Sequence, residues 1–411
     1  MTIEVRNPTI DELHDYLDAA STAFLERPRD LSKVVDFATP HWDLARTWGA
    51  FDEGRVVACF RSFPTEITVP GGAQVPAAAI AGVGVMPTHR RRGLLRRLVE
   101  AEHDAMRDRG EPIGLLNASE YPIYGRFGYG MGTRQATWRV DARATALSGM
   151  PMGSIDLITP TDAALAIVRD VFDAVRQTRV AEIRRRDITW KLQLGLVPDP
   201  WEEGWRGFLA IHRSADGRID GFARYHPESK WDAGLPRSIL HVDDLHATDD
   251  AAEHDLWRFL ASVDWVGSLQ AERRSPSDPL PWRLTDYRAA SIVAQADGMF
   301  VRLHDVARAL EARTYAGEGS LVLEVVDPTR PTSSERLALD AGPDGARCAI
   351  TDRPPDLTVH LSALSGAYLG GSPLSRIAAA FGGADEGRAG ALALAERLFR
   401  TADEPWCSTF F

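Results

Sequence analysis

The sequence predicts a mixed α/β chain of three domains, the first two built on one repeated plan and the third on another. Three observations carry this reading. A short apolar strand, Val83-Gly84-Val85, runs through Met86-Pro87 into a basic cluster and a glycine, and a helical pattern follows at once. A second pass of similar shape occupies residues 155–295, and beyond 296 the chain changes to strands set off by proline and glycine turns. The expected domains are therefore 1–150, 151–295 and 296–411.

The elements of the first domain follow in order. Ile3-Glu4-Val5-Arg6 alternates as a strand, and Thr9-Ile10-Asp11-Glu12 opens a helix with the spacing of a capping box. Trp48-Gly49-Ala50-Phe51, the turn residues Asp52-Glu53-Gly54 and Val56 to Phe60 read as a hairpin. Glu66 to Val69, the turn Pro70-Gly71-Gly72 and Val75 to Val85 read as a second hairpin, which delivers the chain to the basic loop. After the loop, Leu94, Leu98, Ala101 and Ala105 repeat at helical spacing, and Ile113-Gly114-Leu115-Leu116 is a short strand buried on both faces.

The junction at 83–95 has a physical purpose. Turn amides and the free N–H groups of a new helix converge there, and with the helix dipole they form a seat for a phosphate anion. Gly93 permits close backbone approach, and Arg90, Arg91 and Arg92 set a positive local field. In the second region Thr161-Asp162 opens a helix through Val175, the stretches 207–211 and 219–225 form a hairpin, and Ser238 to Val242 enters a helix around Leu256. There the junction is Asp243-Asp244-Leu245-His246-Ala247-Thr248-Asp249-Asp250, whose acids would repel a phosphate, so this copy is expected to bind none. In the third region Leu321 to Asp327, Glu335 to Leu339, Cys348 to Thr351 and Leu357 to Leu361 read as strands. Leu364 to Gly371 and Leu394 to Phe399 read as helices.

Composition narrows the function classes. A net charge of -11 leaves no broad basic surface for nucleic acid and favours a cationic small molecule. Cys59, Cys348 and Cys407 are too few and too scattered for a disulfide framework or a zinc site. The charged N-terminus does not suit a signal peptide, and the longest apolar run, Val75 to Met86, is too short to span a bilayer. The expected location is cytoplasmic, with no membrane partner.

Several motifs together resemble one family. Arg-x-x-Gly-x-Leu after a strand resembles the acetyl-CoA pyrophosphate loop of the GCN5-related N-acetyltransferases. Pro87 to Leu95, the block Leu116-Asn117-Ala118-Ser119-Glu120 and Ile123-Tyr124-Gly125-Arg126-Phe127-Gly128-Tyr129-Gly130 resemble the enhanced intracellular survival (Eis) acetyltransferases. Asp278-Pro279-Leu280-Pro281 and Ala309-Leu310-Glu311-Ala312-Arg313 do so further on, and the likeness spans the chain in order. It implies tandem GCN5-related acetyltransferase folds followed by a sterol-carrier-protein-like α+β domain, assembled as a homohexamer. It also implies acetyl transfer from acetyl-CoA, without a metal, to amines of a multi-amine acceptor such as an aminoglycoside or a lysine side chain.

The resemblance assigns roles to residues. Val83, Gly84 and Val85 would pair with pantetheine, while Arg90, Arg91, Arg92, Gly93, Leu94 and Leu95 would hold the pyrophosphate; Asn117 and Ser119 fall in the same cofactor-binding set. Tyr124 stands where such folds keep the acid that protonates the CoA sulfur, although three tyrosines between 121 and 129 also suit a packed core. In the family the terminal carboxylate returns to the first domain as the base, which here is Phe411. The apolar ending Trp406 to Phe411 equally suits a hydrophobic tuck. Two departures stand out: many relatives have a glutamate where this chain has Phe410, and some have a bulky aromatic where it has Gly82. Glu26, Asp36 and Asp43 remain as acidic candidates, and Phe24, Trp42 and Trp48 as walls.

Other chemistries find less support. His241-x-Asp243-x-x-His246 lacks a partner set for a metal, Gly82 and Gly84 belong to no complete dinucleotide fingerprint, and no nucleophile elbow is present. Arg184-Arg185-Arg186 reads as a solvated helix face or an interface element. The competing function is a non-enzymatic CoA- or lipid-binding protein working through the third domain. The basic loop and Tyr124 favour the enzyme, because a lipid carrier needs neither.

Overall fold

The computed structural model describes residues 3–147, 149–329 and 334–411, whose strands form two seven-stranded sheets, one five-stranded sheet and a small ribbon. Chain entry is set by a reciprocal cap. The Glu12 carboxylate accepts from the Thr9 amide at 2.8 Å and pairs with Arg6, turning the chain from β1 (Glu4–Arg6) into helix α1 (Leu13–Phe24). Helix α2 (Leu31–His41) is capped by Asp30. Strands β2 (Thr47–Asp52), β3 (Arg55–Thr68) and β4 (Gln74–Val85), helix α3 (Leu94–Asp108) and strand β5 (Ile113–Asn117) follow.

The first sheet runs β1-β2-β3-β4-β5 and is completed by Met299–Leu303 and by β6 (Gly130–Met131). Alternation along β3 decides its two faces. Cys59 packs with Tyr16 and Ala19 of α1, whereas Phe60 packs with Leu94 and Leu98 of α3, and Ser62 donates to Glu102 of α3. The stretches at 56–60 and 66–69 are parts of this one strand, with Pro64 inside it. Proline fits because the outward-facing donors of β3 find no β2 partner beyond Arg61. The segment 181–184 joins that edge beyond Pro64, where Thr68 donates to Glu182, and Ala181 and Arg184 donate to Thr68 and Glu66.

Two strands cross the spans read from the sequence. Arg134–Asp141, within the first 150 residues, pairs in the second sheet with Val266–Arg274 and Ala290–Asp297. Met299–Leu303, beyond 296, pairs antiparallel with β5 in the first sheet. The second sheet thus holds 290–297, 134–141, 266–274, 238–247, 219–228, 208–214 and 153–158 in that order. Its acidic junction also differs from the reading. Asp243 to Ala247 continue the strand Ser238–Ala247, and the helix Asp250–Ser262 starts only after Asp249, which caps the Ala252 amide at 2.9 Å.

In the third region the strands 319–326, 334–342, 345–350, 357–360 and 384–386 form the five-stranded sheet. The helix expected from Leu364 to Gly371 runs Leu361–Ala367, and the chain turns after it at Gly370, whose φ of +89° suits glycine. Leu321, Leu323, Leu364 and Tyr368 share one core with Ile113 and Leu115 of β5 and with Val301, so the sheet of the third region and the first sheet are packed as one body. Arg302 fastens them by donating to the Phe127 carbonyl at 2.7 Å and to Asp327 at 2.8 Å.

A close backbone approach in this packing is at Gly130. A Cβ there would lie 2.1 Å from the Ser362 carbonyl oxygen and 2.5 Å from the Gly366 nitrogen, both backbone atoms that cannot swing aside. Gly130→Ala is expected to destabilise the protein by about 2–3 kcal/mol, read as a fall in thermal midpoint; an unchanged midpoint would show that the helix Leu361–Ala367 is free to shift.

Candidate active site

The site forms where the first sheet parts. Strands β4 and β5 pair in parallel only from Ala77 to Ile80, against Ile113 to Leu116. Beyond Ile80 they separate, and the β5-facing edge of β4 through Val83, Gly84 and Val85 is left unpaired. A β-bulge adds to the opening: Cys59 faces Gly84 and Arg61 faces Ala81, so Gly82 and Val83 stand opposite one residue of β3. Gly82 has a φ of +61°, and a Cβ on it would meet nothing within 4 Å.

The chain leaves β4 through Pro87–His89 into the basic loop. Arg91 at φ +62° and Gly93 at φ +78° are both left-handed, which curls the backbone ahead of α3. Arg90 donates to the Val85 carbonyl at 3.3 Å and to the Ala23 carbonyl at 3.5 Å, so it braces the loop against β4 and the end of α1. Arg92 donates to the Thr88 carbonyl at 3.2 Å. His89 meets Asp52 at 3.1 Å. Gly93, Arg91 and Arg92 are exposed; Leu94 is buried and Leu95 half-buried under the helix. The first amides of α3, which have no acceptor in the helix, begin here.

Asn117 ends β5, and its buried Nδ2 has no hydrogen-bond partner among the described residues. Ser119 is exposed in the following bend. An orphaned donor, an open strand edge and a left-handed loop before a helix all fit the amides and pyrophosphate of a CoA ester.

Tyr124 follows in a tight turn and is 8% exposed. Its ring meets Tyr129 edge-on at 6.0 Å and lies in the cluster that holds Val83, Val85 and Leu94. Burial, with Glu120 as a lesser cause, pushes its phenol up to about 12, so it stays protonated at neutral pH.

Phe411 is on the other face. Its ring meets Phe63 of β3 edge-on at 5.6 Å, and Phe63 shares a face with Arg61 and Cys59 by alternation. Tyr124 and Phe411 therefore pack in different clusters. They lie on opposite faces of the sheet, which the separation of β4 from β5 connects.

The tail is held by polar contacts that the sequence reading missed. Glu182 accepts from the Ser408 amide at 3.0 Å, the Ser408 hydroxyl at 2.6 Å and the Thr409 hydroxyl at 2.8 Å. Arg185 donates to both hydroxyls at 2.9 Å and pairs with Asp244, which also meets His246 at 2.7 Å. Trp406 lies under Arg179 at 4.4 Å and Arg274 at 5.1 Å. Burial pushes the Glu182 carboxyl up, but Arg185 and Arg179 outweigh it and hold it below the usual range. Burial lowers His246 to about 4 against the pull of Asp244, so the imidazole is neutral at pH 7. The arginine run 184–186 thus divides: Arg184 is exposed, Arg185 is buried under the tail, and Arg186 stacks on Phe63 at 4.0 Å.

The remaining candidates are placed as follows. Glu26, Asp36 and Asp43 are exposed, and Asp43 caps the turn Leu44–Arg46. Phe24 is near Gly84, Trp48 donates to Glu102 at 2.7 Å, and Trp42 lies under Arg61 at 4.2 Å. Asp243 meets His226 and Trp205, while His241 meets Glu228, so these residues serve separate pairs. No group of three metal-ligating side chains occurs among the described residues. No helix among them is long and apolar enough to cross a membrane.

A sheet parted beside a basic loop, with a second seven-stranded sheet and an α+β domain after it, defines an N-acetyltransferase of the GCN5-related class. Acetyltransferase (GNAT) domains match residues 4–132 and 182–303, and a sterol carrier protein domain matches 306–408. An uncharacterized N-acetyltransferase of Streptomyces griseus is 41% identical over the whole of both chains. N-acetyltransferase Eis of Mycobacterium tuberculosis is 35% identical over 92% of each. The crystal structure of Eis1 from Mycobacterium abscessus superposes with a TM-score of 0.85 at 31% identity, covering 99% of this chain and 100% of that one. A GCN5-related N-acetyltransferase from Anabaena variabilis shares the fold over the full length of both at 19% identity and a TM-score of 0.85. The chain belongs to the Eis family of N-acetyltransferases.

Tail docking is open to a direct test. Glu182→Gln removes a buried charge from between two arginines, a loss of about 3 kcal/mol. Amide hydrogen exchange over 406–411 is expected to speed up strongly in the variant, and unchanged protection would mean that the apolar contacts of Phe411 hold the tail alone.

Proposed function

We propose that the protein transfers acetyl from acetyl-CoA to a primary amine, with Tyr124 as general acid and the α-carboxylate of Phe411 as general base. The observation that carries this reading is the return of the chain terminus to the face of β3 that bears Phe63, across the parted strands from Tyr124. The bound thioester supplies an activated acetyl group. Val83 to Val85 present backbone groups to the pantetheine, the loop Arg90 to Leu95 holds the pyrophosphate, and Asn117 and Ser119 line the same groove.

The Phe411 carboxylate takes a proton from the attacking amine as the C–N bond forms. Tyr124 gives its phenol proton to the sulfur as the C–S bond breaks. Burial that raises the phenol also raises the proton affinity of a thiolate beside it, so the transfer stays feasible in a dry site. The second sheet lacks this machinery, since Asp243 and Asp244 lie within its strand 238–247 and Asp244 is spent on Arg185. Acceptors with several amines, aminoglycosides or lysine side chains, and a homohexameric assembly belong to this reading through the family resemblance.

Tyr124→Phe is expected to lower kcat about a hundredfold while acetyl-CoA affinity, measured by calorimetry, stays within twofold; turnover within about threefold of the parent would make the tyrosine a packing residue. Converting the terminus to an amide, or extending it by a few residues, should abolish turnover and leave acetyl-CoA affinity intact. Equal turnover from N-terminally and C-terminally tagged protein, both folded, would remove the carboxylate from the mechanism.

A further inference from the structure

The turn that carries Tyr124 is gripped at two of its carbonyls by residues far along the chain. Ser362, wholly buried on the helix Leu361–Ala367 of the third region, donates its hydroxyl to the Gly125 carbonyl at 2.8 Å. Arg302, on the strand that completes the first sheet, donates to the Phe127 carbonyl at 2.7 Å and is itself held by Asp327 at 2.8 Å. The fit is tight as well as polar. A Cβ on Gly125 would lie 3.1 Å from the Phe381 ring, and one on Gly128 would strike the Arg302 guanidinium. Phe381 is in turn stacked on His360, whose Nδ1 accepts from the Ser362 amide at 3.2 Å.

Inside the turn, the Tyr124 carbonyl accepts from the Phe127 amide at 3.0 Å and the Tyr129 amide at 3.3 Å. The Gly125 carbonyl accepts from the Gly128 amide at 3.1 Å. These bonds close the turn on itself but do not anchor it to the rest of the molecule. The Tyr124 phenol has no hydrogen-bond partner among the described residues. Its direction is therefore set by its backbone and by ring contacts, the edge-on meeting with Tyr129 among them. A phenol without a directional bond moves with its backbone, and proton transfer tolerates little displacement of the donor. The outside holds on the turn thus decide where the acid's proton points.

We propose that Ser362 is a positioning residue for Tyr124: it acts through the Gly125 carbonyl, with Arg302 and Asp327 as a second hold, to aim the phenol at the CoA sulfur. This rests on the reading of Tyr124 as the general acid. The third region then serves the reaction on both faces of the first sheet, with Ser362 behind the acid and Phe411 as the base.

The test is a double-mutant cycle on the full-length protein, with acetyl-CoA as donor and neomycin and a lysine peptide as acceptors. Ser362→Ala is expected to lower kcat about tenfold, with KM and calorimetric acetyl-CoA affinity within about twofold of the parent. Asp327→Asn, a milder release of Arg302, should lower kcat about threefold in the same pattern. In a Tyr124→Phe background, which lacks the proton to be aimed, Ser362→Ala should cause no further fall, because residues that act as a unit are not additive. Amide hydrogen exchange over 121–129 should speed up in Ser362→Ala and stay unchanged over 113–117. Thermal unfolding checks that each variant folds, and Asp327→Asn carries the cycle if Ser362→Ala does not. Unchanged kcat in a folded Ser362→Ala, or the same fractional loss with and without the Tyr124 hydroxyl, overturns the inference and leaves the acid in place. Parent turnover in Tyr124→Phe, or no transfer to either acceptor by the parent, overturns the underlying reading and this inference with it.

Discussion

The structure depends on one buried ionic cluster, in which Glu182 and Arg185 meet the tail and Asp244 of the second sheet holds Arg185. Each charge is expensive to bury alone and is tolerated because the others are present. Glu182 stands on the segment that lies along β3, Asp244 on a central strand of the second sheet, and Ser408 and Thr409 at the end of the third region. One cluster therefore fixes three parts of the chain relative to one another. Apolar contact between Phe63 and Phe411 then sets the last ring, but a ring contact alone tolerates sliding. Directional hydrogen bonds to two hydroxyls and an amide do not.

The acids of the second sheet take their meaning from this. Read locally, they mark a copy that has lost an anion site. Placed in the strand 238–247, they are acceptors: Asp244 for Arg185, Asp243 for Trp205 and His226. Loss of one function and gain of a structural one occur at the same residues, because a strand position inside the sheet can point a carboxylate at a neighbour where a loop position cannot.

How much was legible in the sequence follows from the range of each interaction. The junction at 83–95 could be read because strand, left-handed glycine and helix start are encoded in neighbouring residues. The family resemblance identified the fold order and placed Tyr124 and Phe411 near the parted strands. Strand exchange between sheets was not legible: Arg134–Asp141 and Met299–Leu303 have the alternation of any strand, and alternation does not say which sheet is joined. The run Arg184 to Arg186 shows the same limit at single residues. Three identical letters occupy solvent, a buried ion cluster and an aromatic stack, because an edge-paired segment sends successive side chains in opposite directions. Glu182 gave a weak signal, a lone acid before three bases, that only its partners 225 to 227 residues away make specific.

The strand Met299–Leu303 carries a consequence for how the molecule comes into being. It covers the edge of β5, whose Leu115 and Leu116 are wholly apolar and buried in the finished protein. During synthesis that edge waits, bare, while the entire second sheet is made. Pairings so distant in sequence close late. The opening portion of the chain is thus an unfinished half-sheet with an adhesive border, prone to capture by other strands until its own arrives. Cutting the chain after the first matched region would leave that border permanently exposed, so that region is not a module that can be lifted out and expressed by itself.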